Sequence, residues 1–318
     1  MALLPKHGLA ALSLCCLLAC LPAMAGEDVA YLMTAAAKGD LATVNALLDS
    51  GASVNARDED GISALMYAAR KNQLEVLLAL LAKGAEVNAQ DAGGWTPLMF
   101  AAKKNHVASI KALLENGADA KVRDASGWSA LGIAALDGYS ETVALLLKNG
   151  MDANSKNDRG MTVLMYAAKS GDIPTITQLL EHKANLLLAD ELGVTALMTA
   201  AREGHAPVIS LLVQRGALVN QKDLAKWTAL TWAVKKSKVA AASALIEAGA
   251  DVNNLDAEGT PLLHIAVNNG QVDLVKLLLA HQVRLKAKDQ YGLSALVYAL
   301  KGQHTEIVKL LKDAGGSY

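Results

Sequence analysis

Stepping along this chain by 33 residues returns the same core residue again and again. One column reads Leu32, Leu65, Leu98, Leu131, Leu164, Leu197, Leu230, Leu263 and Leu296. A second reads Ala35, Ala68, Ala101, Ala134, Ala167, Ala200, Ala233, Ala266 and Ala299, and a third runs from Leu47 to Leu311 at the same spacing. No insertion or deletion interrupts them. A fixed period of this size means stacked repeats, because one short unit cannot bury its own apolar face. The chain of 318 residues is long enough for two domains. The unbroken period instead predicts one continuous stack, each repeat packed on its neighbours.

The stretch 94–126, GWTPLMFAAKKNHVASIKALLENGADAKVRDAS, serves as the type unit. Thr96 to Lys104 has helical spacing, with Pro97 in the first turn, where its missing N–H costs little. Leu98, Ala101 and Ala102 share one face. Asn105 ends this helix, in a column that elsewhere holds Gly39, Asn72, Gly138, Gly171, Gly204 and Gly270. These residue types tolerate the left-handed backbone of a helix end. A second helix is expected from Val107 to Glu115, with Ile110, Leu113 and Leu114 inward and Gly117 closing it. An extended stretch then leads to Asp124-Ala125-Ser126-Gly127, a type I turn followed by glycine. The alanine column lets neighbouring helix pairs approach closely.

This unit resembles the ankyrin repeat. Gly94-Trp95-Thr96-Pro97-Leu98 is similar to that family's G-x-T-P-L signature, and Gly249-Ala250-Asp251-Val252-Asn253 to its G-A-D-V-N segment. Gly51-Ala52 with Val54-Asn55, and Gly216-Ala217 with Val219-Asn220, echo the latter. The resemblance covers nearly all of the chain after residue 27. It implies an all-α ankyrin solenoid of nine 33-residue helix-turn-helix units with β-hairpin loops. The units are 28–60, 61–93, 94–126, 127–159, 160–192, 193–225, 226–258, 259–291 and 292–318. There are departures. The signature proline stands in place at Pro97, repeat eight shifts it to Thr260-Pro261, and the family histidine is kept at His264. At that histidine position Met66, Met99, Met165 and Met198 stand instead, which predicts less rigid hairpins. The column from Leu48 to Leu279 ends in Lys312, so the array is expected to end there.

The first 25 residues lie outside the period. Lys6, an apolar run from Leu9 to Leu21 and Ala23-Met24-Ala25 read as a secretory leader, cleaved between Ala25 and Gly26. The run is shorter than the ~20 residues of a spanning helix. The alternative is a lipoprotein anchored through Cys20. All three cysteines, Cys15, Cys16 and Cys20, lie in this leader. The mature chain would then have no disulfide, thiol nucleophile or cysteine metal site, which suits an oxidising compartment. A bacterial periplasm is the expected address. The whole chain carries 30 basic and 31 acidic residues. The leader holds Lys6 and no acid, so its loss leaves a balance near −2. That gives no argument for nucleic acid.

Catalysis needs polar residues that the repeat does not already explain. His106, His205 and His304 share one column, His182 and His281 another, and His264 is the family histidine. Equivalent positions in adjacent repeats sit roughly 10 Å apart, too far for zinc ligation at ~2 Å. Asp58, Asp91, Asp124, Asp190, Asp223, Asp256 and Asp289 form a turn column, where the side chain accepts local backbone bonds. No phosphate loop, nucleophile elbow or H-E-x-x-H is present. No catalytic residue, metal or cofactor is expected, and the chain is read as no enzyme.

The exposed columns remain. The first helices carry Tyr67, Phe100, Ile133, Tyr166, Thr199, Trp232, Ile265 and Tyr298. One turn on come Arg70, Lys103, Leu136, Lys169, Arg202, Lys235, Asn268 and Lys301, then Lys71, Lys104, Asp137, Ser170, Glu203, Lys236 and Asn269. These positions share a face. After the turn glycine stand Ile62, Trp95, Trp128, Met161, Val194, Trp227, Thr260 and Leu293. Lys226 replaces the glycine itself, at a cost on the order of 1 kcal/mol if its φ is positive. Trp95, Trp128, Lys226, Trp227, Trp232, Lys235, Lys236, Arg70, Lys71, Lys103, Lys104, Lys169 and Arg202 are therefore the candidate contacts, since tryptophan, tyrosine and arginine are enriched at interface hot spots. In the resembling family the concave face and hairpin tips bind proteins. The expectation is a monomeric periplasmic module that scaffolds, protects or inhibits an exported partner with an acidic or mixed surface. A binder of anionic glycans or lipid head groups is the alternative, and a hydrolase or metal enzyme a further one.

Overall fold

The computed structural model describes residues 21–317. The leader up to residue 20, with its three cysteines, lies outside them, as do the side chains of residues 21–27, which include the expected cleavage site. Two compact units are formed, one ending at Ala125 and the other beginning at Ser126. The division falls one residue before the end of the third repeat. The first unit holds repeats one to three and the second repeats four to nine.

Eighteen helices occur among the described residues, two per repeat. In the third repeat they are Pro97–Lys103 and Val107–Glu115. Thr96 caps the first with a 3.3 Å bond from the Met99 N–H. Ser63, Thr162, Thr195 and Thr228 do the same in their repeats. Each such cap contributes about 1 kcal/mol. Asn105 ends the helix at φ +55°, and Asn72, Ser237 and Gln303 take the same left-handed conformation in their repeats.

The leucine and alanine columns form the core. Leu98, Leu131, Leu164 and Leu230 are at most 1% exposed, and Ala101 to Ala266 are fully enclosed. Leu47 is only half-buried, since among the described residues no helix pair precedes it. The histidine columns are structural. His106 Nε2 lies 3.2 Å from the Arg70 carbonyl, and His205 Nε2 3.1 Å from that of Lys169. Gln73 donates likewise to the Ala37 carbonyl. Each ties the start of a second helix to the end of the preceding repeat's first helix. His182 and His281 reach carbonyls one turn back in their own helices.

The hairpins pair less extensively than a β-ladder would. Among the described residues they show only isolated antiparallel bridges, such as Arg57 with Ser63 and Ala189 with Thr195. The tips are linked instead by single backbone bonds between neighbours: Ala92 N–H to the Asp60 carbonyl in the first unit, and Leu224 to Leu192 and Ala257 to Ala225 in the second. Asparagines add rungs. Asn154 donates to the Lys183 carbonyl and accepts from the Asn185 N–H, and Asn220 does the same with Gly249 and Asp251. Between them the column holds Leu187, which can form no such rung.

The looser hairpins expected from the missing histidines are partly corrected. Met66 Sδ and Met165 Sδ accept the N-cap N–H groups of Ser63 and Thr162 at 3.4 and 3.3 Å. His264 instead donates from Nε2 to the Leu293 carbonyl at 3.0 Å. Its Nδ1 has no partner, because Pro261 occupies the cap position where other repeats carry a serine or threonine.

Candidate partner-binding face

The turn aspartates hold more than their turns. Asp58 Oδ1 accepts the N–H groups of Asp60 and Ile62, while its Oδ2 accepts the Tyr67 hydroxyl at 2.8 Å. Asp289 repeats this with Tyr291, Leu293 and the Tyr298 hydroxyl at 2.6 Å. Burial, then the bond to Asp58, pushes the Tyr67 hydroxyl pKa up. The bond to Asp289 does the same to Tyr298. Burial works to raise the Asp289 carboxyl, but its three hydrogen bonds outweigh that and hold it below the usual range. Where the column holds Asn157, Tyr166 turns instead to Met161 Sδ at 3.3 Å.

In the second unit one carboxylate positions two tryptophans. Asp223 Oδ1 accepts the Trp227 N–H at 2.9 Å, and Oδ2 accepts the Trp232 indole N–H at 2.9 Å. The two rings meet edge to face at 4.8 Å. Asp223 itself is only 7% exposed, so both oxygens are consumed by the protein. Lys226 completes the turn at φ +57°, as its place in the glycine column required. Its N–H bonds to the Asp223 carbonyl, and its own carbonyl accepts from Asn254 Nδ2 at 3.0 Å. The strained residue is therefore clamped at both ends.

Host cations lie over these rings. The Arg202 guanidinium is 5.6 Å from the Trp232 ring centre, and Lys235 Nζ is 6.0 Å from that of Trp227. Arg202 also pairs with Glu203 at 3.2 Å, so it is not a free charge. Lys169, Lys226, Lys235 and Lys236 are exposed, and none forms a salt bridge among the described residues.

The other tryptophans are not projecting tips. Trp95 is half-buried and tilts onto Phe100 at 5.2 Å. Nearby, Arg70 stacks 4.7 Å from the Tyr67 ring centre and 5.8 Å from that of Phe100. Lys71 and Lys104 are exposed, and Lys103 is half-buried. Trp128 lies over Gly132, where a Cβ would collide with its ring, and meets Tyr166 edge-on at 3.9 Å. The surface reading of the tip tryptophans is corrected on this point: all three are half-buried, because each turns back onto the first-helix face instead of pointing outward.

Two residues escaped the columns. Leu192 is 66% exposed and Leu224 74% exposed. They stand on adjacent tips joined by a backbone bond, one or two positions beyond the turn aspartate. A leucine where other tips carry Asp60, Gly93 or Ser126, and another where they carry Glu59, Ala92 or Glu191, were the available signal.

Among the described residues no cluster of histidine, cysteine or acid could hold a metal ion, and no helix is long and apolar enough to cross a membrane. A family model of three ankyrin repeats matches residues 32–124, 116–190, 184–256 and 244–317. The chain belongs to the ankyrin-repeat family, whose members act as protein-interaction modules. A search of curated proteins finds no match.

Proposed function

We propose that this chain is an exported, non-enzymatic module that holds a partner protein on its first-helix face and hairpin tips. The site is centred on repeats five to eight. The observation that carries this reading is the tryptophan pair fixed by Asp223, beside the unpaired Lys226, Lys235 and Lys236 and the bare tip leucines 192 and 224. Preorganised aromatic side chains beside exposed charge are what a binding hot spot requires. Trp95, Trp128, Arg70, Lys71, Lys103, Lys104, Lys169 and Arg202 support rather than centre the site, since several are engaged inside the array. The leader pattern supports cleavage between Ala25 and Gly26 and a periplasmic location, with the mature chain a monomer that scaffolds, protects or inhibits its partner.

The test is cross-linking in the bacterial envelope with the full chain, followed by the Trp227→Ala and Leu224→Ser variants. Capture of a defined protein that both variants lose supports the reading. Retained capture by both folded variants sinks it. Retention on anionic glycan or lipid vesicles without any protein partner would favour the polyanion alternative. Sequencing the N-terminus of the exported chain tests cleavage.

A further inference from the structure

An open groove of about 420 Å³ lies beside the tryptophan pair in the second unit. Trp227, Tyr298 and the nearly buried Ile265 give it apolar surface, and Lys235 lines it as well. Asp256 and Glu258, on the next hairpin tip, line it too. Asn268 and Asn269 also line it, exposed at the two positions where repeats two, three and seven carry cations. Each carboxamide offers both a donor and an acceptor, which matches the alternating N–H and C=O groups of an extended backbone.

Two features fix the charge of the occupant. The Trp227 face is already approached by Lys235, and Trp232 by Arg202, so the pair is no cage for a ligand cation. Asp223, which could have drawn one, has both oxygens bonded. Lys235 has no acidic partner and calls for one. Asp256 and Glu258 in the same groove oppose a long run of negative charge, and this argues against a polyanion.

We propose that this groove takes an extended peptide segment in which a single acidic residue neighbours a large apolar one. The acid meets Lys235, the apolar side chain packs on Trp227 and Ile265, and Asn268 and Asn269 read the backbone. This rests on the protein-binding reading above and names the chemistry of the partner.

The test is selection of a displayed library of random short peptides on the full chain, with synthetic peptides then measured by fluorescence anisotropy. Recovered peptides should pair Asp or Glu with Leu, Phe or Tyr. Lys235→Glu should weaken them about tenfold, as loss of one interfacial charge pair does, and Asn268→Ala with Asn269→Ala by a smaller factor. Asp256→Lys should strengthen them and admit more acidic sequences. Failure to enrich any peptide, enrichment of basic peptides, equal binding of polyglutamate, or indifference to Lys235→Glu in a folded variant would each overturn the proposal. If the envelope partner is lost on Leu224→Ser but not on Lys235→Glu, the module reading stands and the groove proposal falls. If no envelope partner is found while peptides bind as described, the reverse holds.

Discussion

Repeats four and seven each place a tryptophan after the turn, yet they use it differently. In repeat four, Trp128 fills the space left by Gly132 and meets the next repeat's Tyr166. The helix beneath carries Leu136 and Asp137, so the charge ladder is broken there. In repeat seven, Trp227 leans on a second tryptophan, both are fixed by Asp223, and Lys235 and Lys236 follow. One repeat has turned its tryptophan into packing and the other has set it beside charge. A residue type at a tip therefore says little until the position five or four residues further on is known.

The contrast can be broken most directly at Trp128. Trp128→Ala should lower stability by about 2 kcal/mol, discounted for half-burial, whereas Trp227→Ala should cost less stability and more binding. Urea unfolding with tryptophan-independent detection separates the two. Gly132→Ala sharpens the point by its sign. A helical glycine to alanine change normally stabilises by about 1 kcal/mol. Here it should destabilise, and in the Trp128→Ala background the usual sign should return.

Next in size is Asp223→Asn. It turns an amide toward the Trp232 indole N–H, leaving donor against donor, at about 1–2 kcal/mol. Loss of the tryptophan pair's near-ultraviolet circular dichroism is the readout. Repeat five already shows the outcome, since Tyr166 abandons Asn157 for Met161. A smaller change of opposite sign is expected for Lys226→Gly. Relief of the positive φ should raise stability by about 1 kcal/mol, visible as a later urea midpoint.

The smallest effect is a pH dependence at His264. Burial lowers its pKa below the ordinary value. The unfolded chain then binds the proton more readily, so stability is full above about pH 6.5 and declines as pH falls below it. Thermal midpoints measured across that range should drop toward acid, and His264→Met, which copies the residue of four other repeats, should flatten the decline.

The fold was legible because its information is repeated. Helix bounds such as Val107–Glu115, the left-handed Asn105 and the turn aspartates each recur, so local ambiguity averages out over nine copies. The site was legible only in part. Lys226 stood out as a break in a glycine column, and its φ bears that out. The second duty of Asp223 was hidden because it joins residues nine apart, a spacing that belongs to neither helix nor turn. It could have been found by noting that Asp58, Asp223 and Asp289 each precede a donor-bearing aromatic at that interval, while Asp91 precedes Phe100, which has no donor. The leucines at 192 and 224 were overlooked because the tip was read only at the position after the glycine. The tryptophans' inward lean depends on what lies beneath them, which no single column states.

Leu187 interrupts the rungs that asparagines otherwise place between hairpins. Tension applied along the second unit would be shared by side-chain amides at the joints of Asn154 and Asn220, but at Leu187 it falls on the remaining backbone and helix contacts alone. Leu187→Asn would complete the row of rungs in this unit, and a later urea midpoint is the expected outcome.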